Sequence, residues 1–300
     1  MKVLHLDSGR GMRGGQYQVL RLVEGLRGRA DVEQRVLARG ELAERLGAEQ
    51  LSLPSIWSAV RWADVVHAHD AKTHTLALVA GAGDRLAVSR RVAFAPGKGM
   101  ASRWKYRRAA LYLAVSEYVA GELRGAGVDA ERIRVVHDGV PTPEREPVFR
   151  EPAGPLRVLA LDSEDPGKGT ATARRVCLKA GFDLTLTKDL ERDLRASDCL
   201  LYLTDMEGFG SAIVLAALRK VPVIASRVGG IPEVLEHDVT GLLVDKDEDA
   251  IVAALGRLRS ESPELGRRLA EAAYLRAVQQ YRADIMVDRT VESYQLLLRG

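Results

Sequence analysis

Short apolar runs alternate with helix-period stretches along the chain, and this rhythm restricts the fold more than any other feature. In the first half, strand-like runs fall near 2–7, 33–38, 64–69, 86–89, 111–115 and 133–136. Helical patterns fall near 15–27, 55–62, 71–81, 101–110 and 117–125. Asp64-Val65-Val66-His67 and Leu111-Tyr112-Leu113-Ala114-Val115 are almost wholly apolar, as suits strands covered by helices on both faces. The alternation predicts parallel sheets assembled from βαβ units. Pro141, Pro143, Pro147, Pro152 and Pro155 then punctuate a charged stretch without periodicity, which reads as a linker. A second series follows, with strands near 156–161, 183–187, 199–204, 221–225 and 241–244. Its helices lie near 169–180, 189–196, 210–219, 232–236, 248–259 and 263–281, with a last one near 283–298. Three hundred residues are more than one core commonly holds. The expected organisation is α/β, with two Rossmann-like doubly wound domains at 1–145 and 156–282 and a C-terminal helix, 283–300, packing back toward the first. Ligands of such sheets bind beyond the carboxyl ends of the strands.

Bulk properties exclude several classes. The chain is 46% hydrophobic and 28% charged, as a folded domain is and a disordered one is not. Cys177 and Cys199 sit in apolar segments without metal-ligand spacing, so two buried thiols are expected rather than a disulfide framework. The first residues, Met1 to Asp7, read as a strand and lack a signal peptide's apolar stretch, and no uncharged run is long enough to span a bilayer. A cytoplasmic location is the expectation. Net charge is +3 but uneven: residues 1–150 hold 24 Lys+Arg against 17 Asp+Glu, whereas 151–300 hold 20 against 24. Different partners are expected for the two halves.

Two strand-to-helix junctions stand out. Asp205-Met206-Glu207-Gly208-Phe209-Gly210 follows an apolar strand and precedes an apolar helix that starts at Ser211. Its glycines let a ligand approach the backbone, and the helix start offers a positive dipole end to an anion. Glu207 is placed to accept hydrogen bonds from sugar hydroxyls. On spacing alone the segment serves equally well as an ordinary turn with an exposed acid. The second junction, Val221 to Ser226 and then Arg227-Val228-Gly229-Gly230-Ile231-Pro232-Glu233-Val234, is followed by Thr240-Gly241-Leu242-Leu243-Val244. Pro232 suits the first turn of a helix.

In order and spacing, the run 203–244 closely resembles the nucleotide-binding half of glycosyltransferase family 4. That family carries glutamate-Gly-Phe-Gly, an apolar helix, Gly-Gly-x-Pro-Glu and Gly-x-Leu-Val. The first half is similar more loosely: Gly14-Gly15-Gln16 resembles the family's Gly-Gly loop, and Asp64-Val65-Val66-His67-Ala68-His69 its Asp-x-x-His-x-His strand. Ala114-Val115-Ser116-Glu117 and Val135-Val136-His137-Asp138-Gly139-Val140 match the elements before the linker. Ser89-Arg90-Arg91-Val92 with Lys105-Tyr106 looks like the branch acting on bacterial lipopolysaccharide and other surface glycans. The resemblance implies the GT-B fold, two Rossmann-like domains facing a cleft. The chain is short for the family, most clearly between 183 and 199, where one βα unit is missing and the C-terminal domain is shortened.

The resemblance also implies roles. The reaction would retain anomeric configuration, with no metal, no cofactor beyond the nucleotide diphosphate-sugar donor, and no protein nucleophile. The protein would stabilise the departing diphosphate and position two substrates. Lys168, in Asp165-Pro166-Gly167-Lys168-Gly169, falls where the family places its phosphate lysine. Glu207, Lys168 and His69 are the expected catalytic residues. Gly208, Phe209, Gly210, Ser211, Leu215 and Ser163 would line the donor, and Gly14, Gly15, Arg90 and Lys105 would meet phosphate or acceptor. His67 and His69 point to one side of their strand, His69 nearer its carboxyl end and so assigned a donor-sugar hydroxyl, with His67 packing below. Two positions depart from the pattern. Leu215 stands where the family has a ribose-binding glutamate, removing an anchor of about 1–3 kcal/mol. Ser163 stands where it has an arginine, which Arg174 or Arg175 would have to replace.

Asp245, Asp247 and Asp249 alternate as in a metal motif, but at a helix start capping explains them better. From Arg85 to Ser116 there is no acidic residue, while eight basic ones stand among Phe94, Trp104 and Tyr106. This is either a solvated basic face or a contact for an anionic partner: an anionic glycan or lipid-linked acceptor, or an anionic membrane touched peripherally. Nucleic acid is not expected, since no recognition module accompanies the cluster. The leading expectation is a hexosyl-type transferase of cell-surface glycans. The alternatives are a weakened or inactive relative serving as a binding or scaffold partner, and a nucleotide-sugar epimerase of the same fold, for which no clear acid/base set is present.

Overall fold

A computed structural model of the chain describes residues 1–299. It divides into two compact units, Met1–Gly139 with the C-terminal helix Ala283–Arg299, and Val140–Arg282. The first boundary lies at Gly139, ahead of the proline-rich stretch and of the expected limit at 145. From Val140 the chain belongs with the second unit, where the Val140 N–H donates to the Tyr281 carbonyl at 2.9 Å and Val140 bridges Arg282.

In the first unit β1 (Lys2–Leu6), α1 (Gly14–Leu26), β2 (Glu33–Ala38), α2 (Gly40–Leu46), β3 (Glu49–Gln50), α3 (Leu53–Trp62), β4 (Val65–Ala68) and α4 (Ala71–Val79) come first. There follow β5 (Leu86–Arg90), α5 (Met100–Arg108), β6 (Leu111–Ala114), α6 (Glu117–Gly125) and β7 (Ile133–Val135). The strands form one parallel sheet in the order β3-β2-β1-β4-β5-β6-β7. The helices start where capping chemistry permits. Ser52 and Ser55 make a capping box with proline in the first turn of α3, and the Asp70 carboxylate accepts from the Lys72 and Thr73 N–H groups at the head of α4. Both faces of the central strands are covered, so Val65–Ala68 and Leu111–Ala114 are buried throughout. Met286, Val287, Val291 and Tyr294 of the C-terminal helix pack into the same core as Val3, Leu22 and Leu26. That helix approaches α1 closely: a Cβ at Gly25 would lie 2.6 Å from a Val287 methyl.

The second unit contains β8 (Arg157–Leu161), α7 (Thr170–Ala180), β9 (Asp183–Thr187), α8 (Leu190–Asp193), β10 (Cys199–Tyr202), α9 (Ser211–Ala217) and β11 (Val223–Ser226). It continues through α10 (Ile231–Val234), β12 (Leu242–Val244), α11 (Glu248–Ser260) and α12 (Glu264–Gln280). Its five-stranded parallel sheet runs β12-β11-β10-β8-β9. The link from β9 to β10 is the four-residue α8 and one turn of 3-10 helix, so the sheet is small where the sequence is short. Both cysteines are buried and free within its core. Asp247 caps α11, accepting from the Ala250 N–H at 3.0 Å. Among the described residues no helix is long and apolar enough to cross a membrane.

Candidate functional site

In an open parallel sheet, ligands sit where the strand order reverses. In the second unit the reversal lies between β8 and β10, and the loops that follow them carry Lys168 and Glu207. Lys168 Nζ lies 3.3 Å from Glu207 Oε2. The same oxygen accepts a 2.5 Å hydrogen bond from the Tyr202 hydroxyl, and Oε1 accepts from the Gly208 N–H at 3.1 Å. Burial, and then the charge of Glu207, push the Tyr202 phenol well above its ordinary range, so it stays protonated and donates. Sequence reading missed Tyr202 because it ends an apolar strand and looks like core.

Glycines make this geometry possible. At Gly229, with φ of +54°, an added Cβ would lie 2.0 Å from the Glu207 carbonyl oxygen, and the neighbouring Gly230 N–H donates to that oxygen at 3.0 Å. The Gly-Gly turn after β11 thus holds the backbone of Glu207 from behind. Gly169, at φ of +67°, lets the Lys168 turn press against Leu203. The Asp205 N–H closes the contact on the Gly167 carbonyl at 2.7 Å. Gly210 precedes α9 in the left-handed region, and Phe209 is buried with its ring edge-on to Tyr281.

The remaining expected donor residues sit around this point. Ser211 and Leu215 are half-buried on one side of α9. Ser163 is half-buried, its N–H donating to Thr170 Oγ1 at 3.1 Å. Arg175 is engaged elsewhere, 2.8 Å from Glu248 on α11. Two cations that sequence reading did not weigh stand on neighbouring carboxyl-end loops: Lys246, 2.8 Å from Asp205, and Arg227, 4.0 Å from Asp245. A cavity of about 680 Å³ opens at the opposite, amino-end edge of this sheet near Asp198 and Pro222. Lys220 there already pairs with Glu146 and Glu271.

In the first unit the strand order reverses between β1 and β4. The loop after β1 is tied to the head of α4, with Asp70 accepting from the Ser8 N–H at 2.7 Å and from the Ser8 hydroxyl at 2.9 Å. Asp7 is buried beneath it, accepting from the Gly9 N–H and from Gln16. Burial raises the Asp7 pKa. α1 then begins at Gly14 with no side-chain cap. A Cβ at Gly14 or Gly15 would meet nothing within 4 Å, so internal packing does not require glycine at either position.

His69 is only 8% exposed. Its Nε2 lies 3.1 Å from His5 Nδ1, while His67 bonds Tyr294 Oη through Nδ1 at 2.5 Å and Ser89 Oγ through Nε2 at 2.8 Å. Burial drives all three imidazoles below their ordinary pKa, His5 to about 3, so all are neutral. Each offers one nitrogen within 4.8 Å of the others, a spacing that could hold a metal ion. Both His67 nitrogens are already hydrogen-bonded, however, and His5 and His69 bond each other. The histidine group is therefore a buried packing cluster in which His69 Nδ1 and His5 Nε2 have no partner.

The acid-free stretch does not form one face. Arg90 is 7% exposed and lies under Phe94 and Tyr106, and Arg91 pairs with Asp138 at 2.9 Å. Lys105 is half-buried, donating to the Ala71 carbonyl at 2.5 Å. Arg103, Arg107 and Arg108 face solvent on α5 beside Trp104.

Known proteins resemble this chain in sequence or fold. The family model described as Glycosyltransferase Family 4 matches residues 12–144, and that described as Glycosyl transferases group 1 matches residues 178–276. N-acetyl-alpha-D-glucosaminyl L-malate synthase of Bacillus anthracis is 37% identical over 108 residues, 35% of this chain and 28% of that protein. D-inositol 3-phosphate glycosyltransferase of Rhodococcus opacus is 31% identical over 163 residues, 50% of this chain and 36% of that protein. The chain thus aligns with about a third or less of the length of these curated relatives. Anabaena HepE, solved in complex with UDP, superposes with a TM-score of 0.81 at 16% identity, covering 99% of this chain and 100% of that one. A glycosyltransferase from Rickettsia africae superposes with a TM-score of 0.80 at 17% identity, covering 100% and 99%. Two doubly wound units of this topology, matched in turn by the two family models, make the chain a member of glycosyltransferase family 4 with the GT-B fold.

Proposed function

We propose that this protein is a retaining, metal-independent glycosyltransferase that moves a sugar from a nucleotide diphosphate-sugar to an anionic glycan or lipid-linked acceptor. The observation that carries the reading is the Lys168–Glu207 pair at the strand-order reversal of the second sheet, 3.3 Å apart. With side chains 33% and 19% exposed, such a pair contributes about 1 kcal/mol or less, so Lys168 exchanges its carboxylate for a phosphate at little cost. As the anomeric C–O bond breaks, charge builds on the diphosphate, and an ammonium already in place stabilises it without reorganisation. The acceptor hydroxyl attacks on the same face and its proton passes to the departing phosphate oxygen. Glu207, its Oε2 fixed by Tyr202, orients a sugar hydroxyl. Gly14 and Gly15 leave room for phosphate at the head of α1. HepE, solved with UDP, supports the nucleotide class.

The biological setting we propose is surface-glycan synthesis, of lipopolysaccharide type, at the cytoplasmic face of the membrane. Met100, 88% exposed, and Trp104, 46% exposed, stand among Arg103, Arg107 and Arg108 and suit an anionic lipid surface. Incubation with a panel of nucleotide sugars and acceptor lipids, following nucleoside diphosphate release, tests the activity. Turnover should fall at least about a hundredfold in Lys168→Ala, the scale for losing one charge-stabilising donor. Silence of the native protein across all common donors sinks the proposal. One observation favours a second reading, a binding partner without catalysis: Leu215 offers no hydrogen bond to a ribose. Calorimetry with uridine and guanosine diphosphates separates the two, since micromolar binding defeats the scaffold.

A further inference from the structure

The carboxyl end of β5 holds a buried cation with no ion pair of its own; the acid that acts on it, Glu122, does so at a distance. Arg90 is 7% exposed, yet its partners are neutral: the Tyr106 hydroxyl at 2.9 Å and the Phe94 carbonyl, with Nε unpartnered. Among the described residues it makes no ion pair within 4.0 Å, whereas its neighbour Arg91 has Asp138. Lys105 repeats the pattern, bonded to a backbone carbonyl and unpaired with any acid among the described residues. Burial disfavours the charged forms of both. A desolvated cation without an ion-pair partner is costly, and a bound anion lowers that cost.

Arg90 and Lys105 line one cavity of about 410 Å³, whose other walls include Phe94, Pro96, Trp104 and Tyr106. The Phe94 ring is 57% exposed and the Trp104 ring 46%. The Arg90 guanidinium lies 5.0 Å from the Phe94 ring centroid, so the cationic end and the apolar wall adjoin. A bare inorganic anion would leave the rings wet, and a neutral apolar group would leave the cations unpaired.

We propose that this cavity is the acceptor site and that it takes the anionic, apolar end of a hydroxyl-bearing acceptor: a phosphate or carboxylate bonded directly to an aromatic ring or branched aliphatic group. Naming the ligand an acceptor rests on the transferase reading above; the cavity's chemical preference does not. The test is calorimetry on the full chain with phenyl phosphate, inorganic phosphate and benzyl alcohol as probes. Phenyl phosphate should bind at least tenfold more tightly than either of the others. Because Arg90 is buried, the variants are Lys105→Gln and Phe94→Ala, each expected to weaken phenyl phosphate at least fivefold while circular dichroism is unchanged. Equal affinity for phenyl phosphate and inorganic phosphate overturns the proposal, as does native affinity in both variants. Phosphatidylglycerol vesicles separate a soluble ligand from a lipid surface: if the two variants lose vesicle binding but not phenyl phosphate binding, the feature is a membrane contact and the acceptor cavity is wrong. Uridine diphosphate is titrated in parallel. Phenyl phosphate preference without nucleotide binding leaves the cavity standing and removes the transferase, and the converse removes the cavity alone.

Discussion

In the second unit the cation at the sheet's carboxyl edge, Lys168, has a carboxylate 3.3 Å away; in the first, Arg90 has none within 4.0 Å. The first arrangement is half-exposed and cheap to make or break. The second is buried and has no ion-pair partner, which is why we propose an anion from outside. On the proposed roles, two sheets built by the same rules would meet charged ligands differently. One holds an internal pair ready for exchange, and the other leaves a site incomplete until it is filled. The glycines differ in the same sense. Gly229 and Gly169 are demanded by the protein's own backbone contacts, while Gly14 and Gly15 face open space. The histidines differ too: His5, His67, His69 and His74 are buried in the first unit, whereas His237 of the second is half-exposed.

The largest expected contrast is acid sensitivity. Burial holds His5 and His74 at about 3 and His67 and His69 well below 6.5 when folded. Below pH 6.5 the unfolded first unit binds protons that the folded one refuses, so stability is fully present above 6.5 and is lost as pH falls toward 3. The loss is about 1.4 kcal/mol per histidine at one pH unit below, or on the order of 5 kcal/mol at pH 5.5 for all four. Hydrogen exchange at pH 7.5 and 5.5 should show protection falling first in Met1–Gly139; equal loss in both units breaks the contrast.

A paired glycine experiment comes next. Gly229→Ala forces a Cβ to within 2.0 Å of a carbonyl oxygen at positive φ and should cost about 2–3 kcal/mol. Gly15→Ala, inside α1 with nothing nearby, should leave the melting temperature unchanged or raise stability by up to about 1 kcal/mol. It should nonetheless lower turnover if phosphate approaches there. Thermal melts beside diphosphate release read both effects, and undiminished turnover in Gly15→Ala takes the ligand away from that loop. The smallest effect is a gain. Leu215→Glu, on the half-buried side of α9, should strengthen nucleoside diphosphate binding about tenfold, as one charge-assisted hydrogen bond would. Unchanged affinity by calorimetry means that α9 does not meet the ribose.

The strand and helix rhythm was legible because burial on both faces forces apolar runs such as Val65–Ala68 wherever they occur. α2 and β3 escaped: seven residues and two are too few to show a period, and α2 is positioned by the Glu41 N–H donating to the Arg10 carbonyl rather than by its own pattern. At the candidate site, Lys168 and Glu207 could be picked out because their glycine-rich loops match the family's pattern; spacing alone left the Glu207 turn open to an ordinary reading. Tyr202, Lys246 and Arg227 could not, since a strand tyrosine and two loop cations carry no local sign of what faces them.

By itself the sequence determined most of the secondary elements, all but short ones such as α2 and β3, together with their parallel pairing into two sheets and which loops stand at the carboxyl edges. These follow from periodicity, glycine and capping, all of which act within a few residues of chain. Only the tertiary structure decided which charges are satisfied. Arg90 and Arg91 are neighbours in one strand ending, yet Arg91 meets Asp138 from 47 positions away and Arg90 meets only neutral groups. Successive side chains of a strand point to opposite faces, and what waits on each face is supplied by distant segments that no local pattern records.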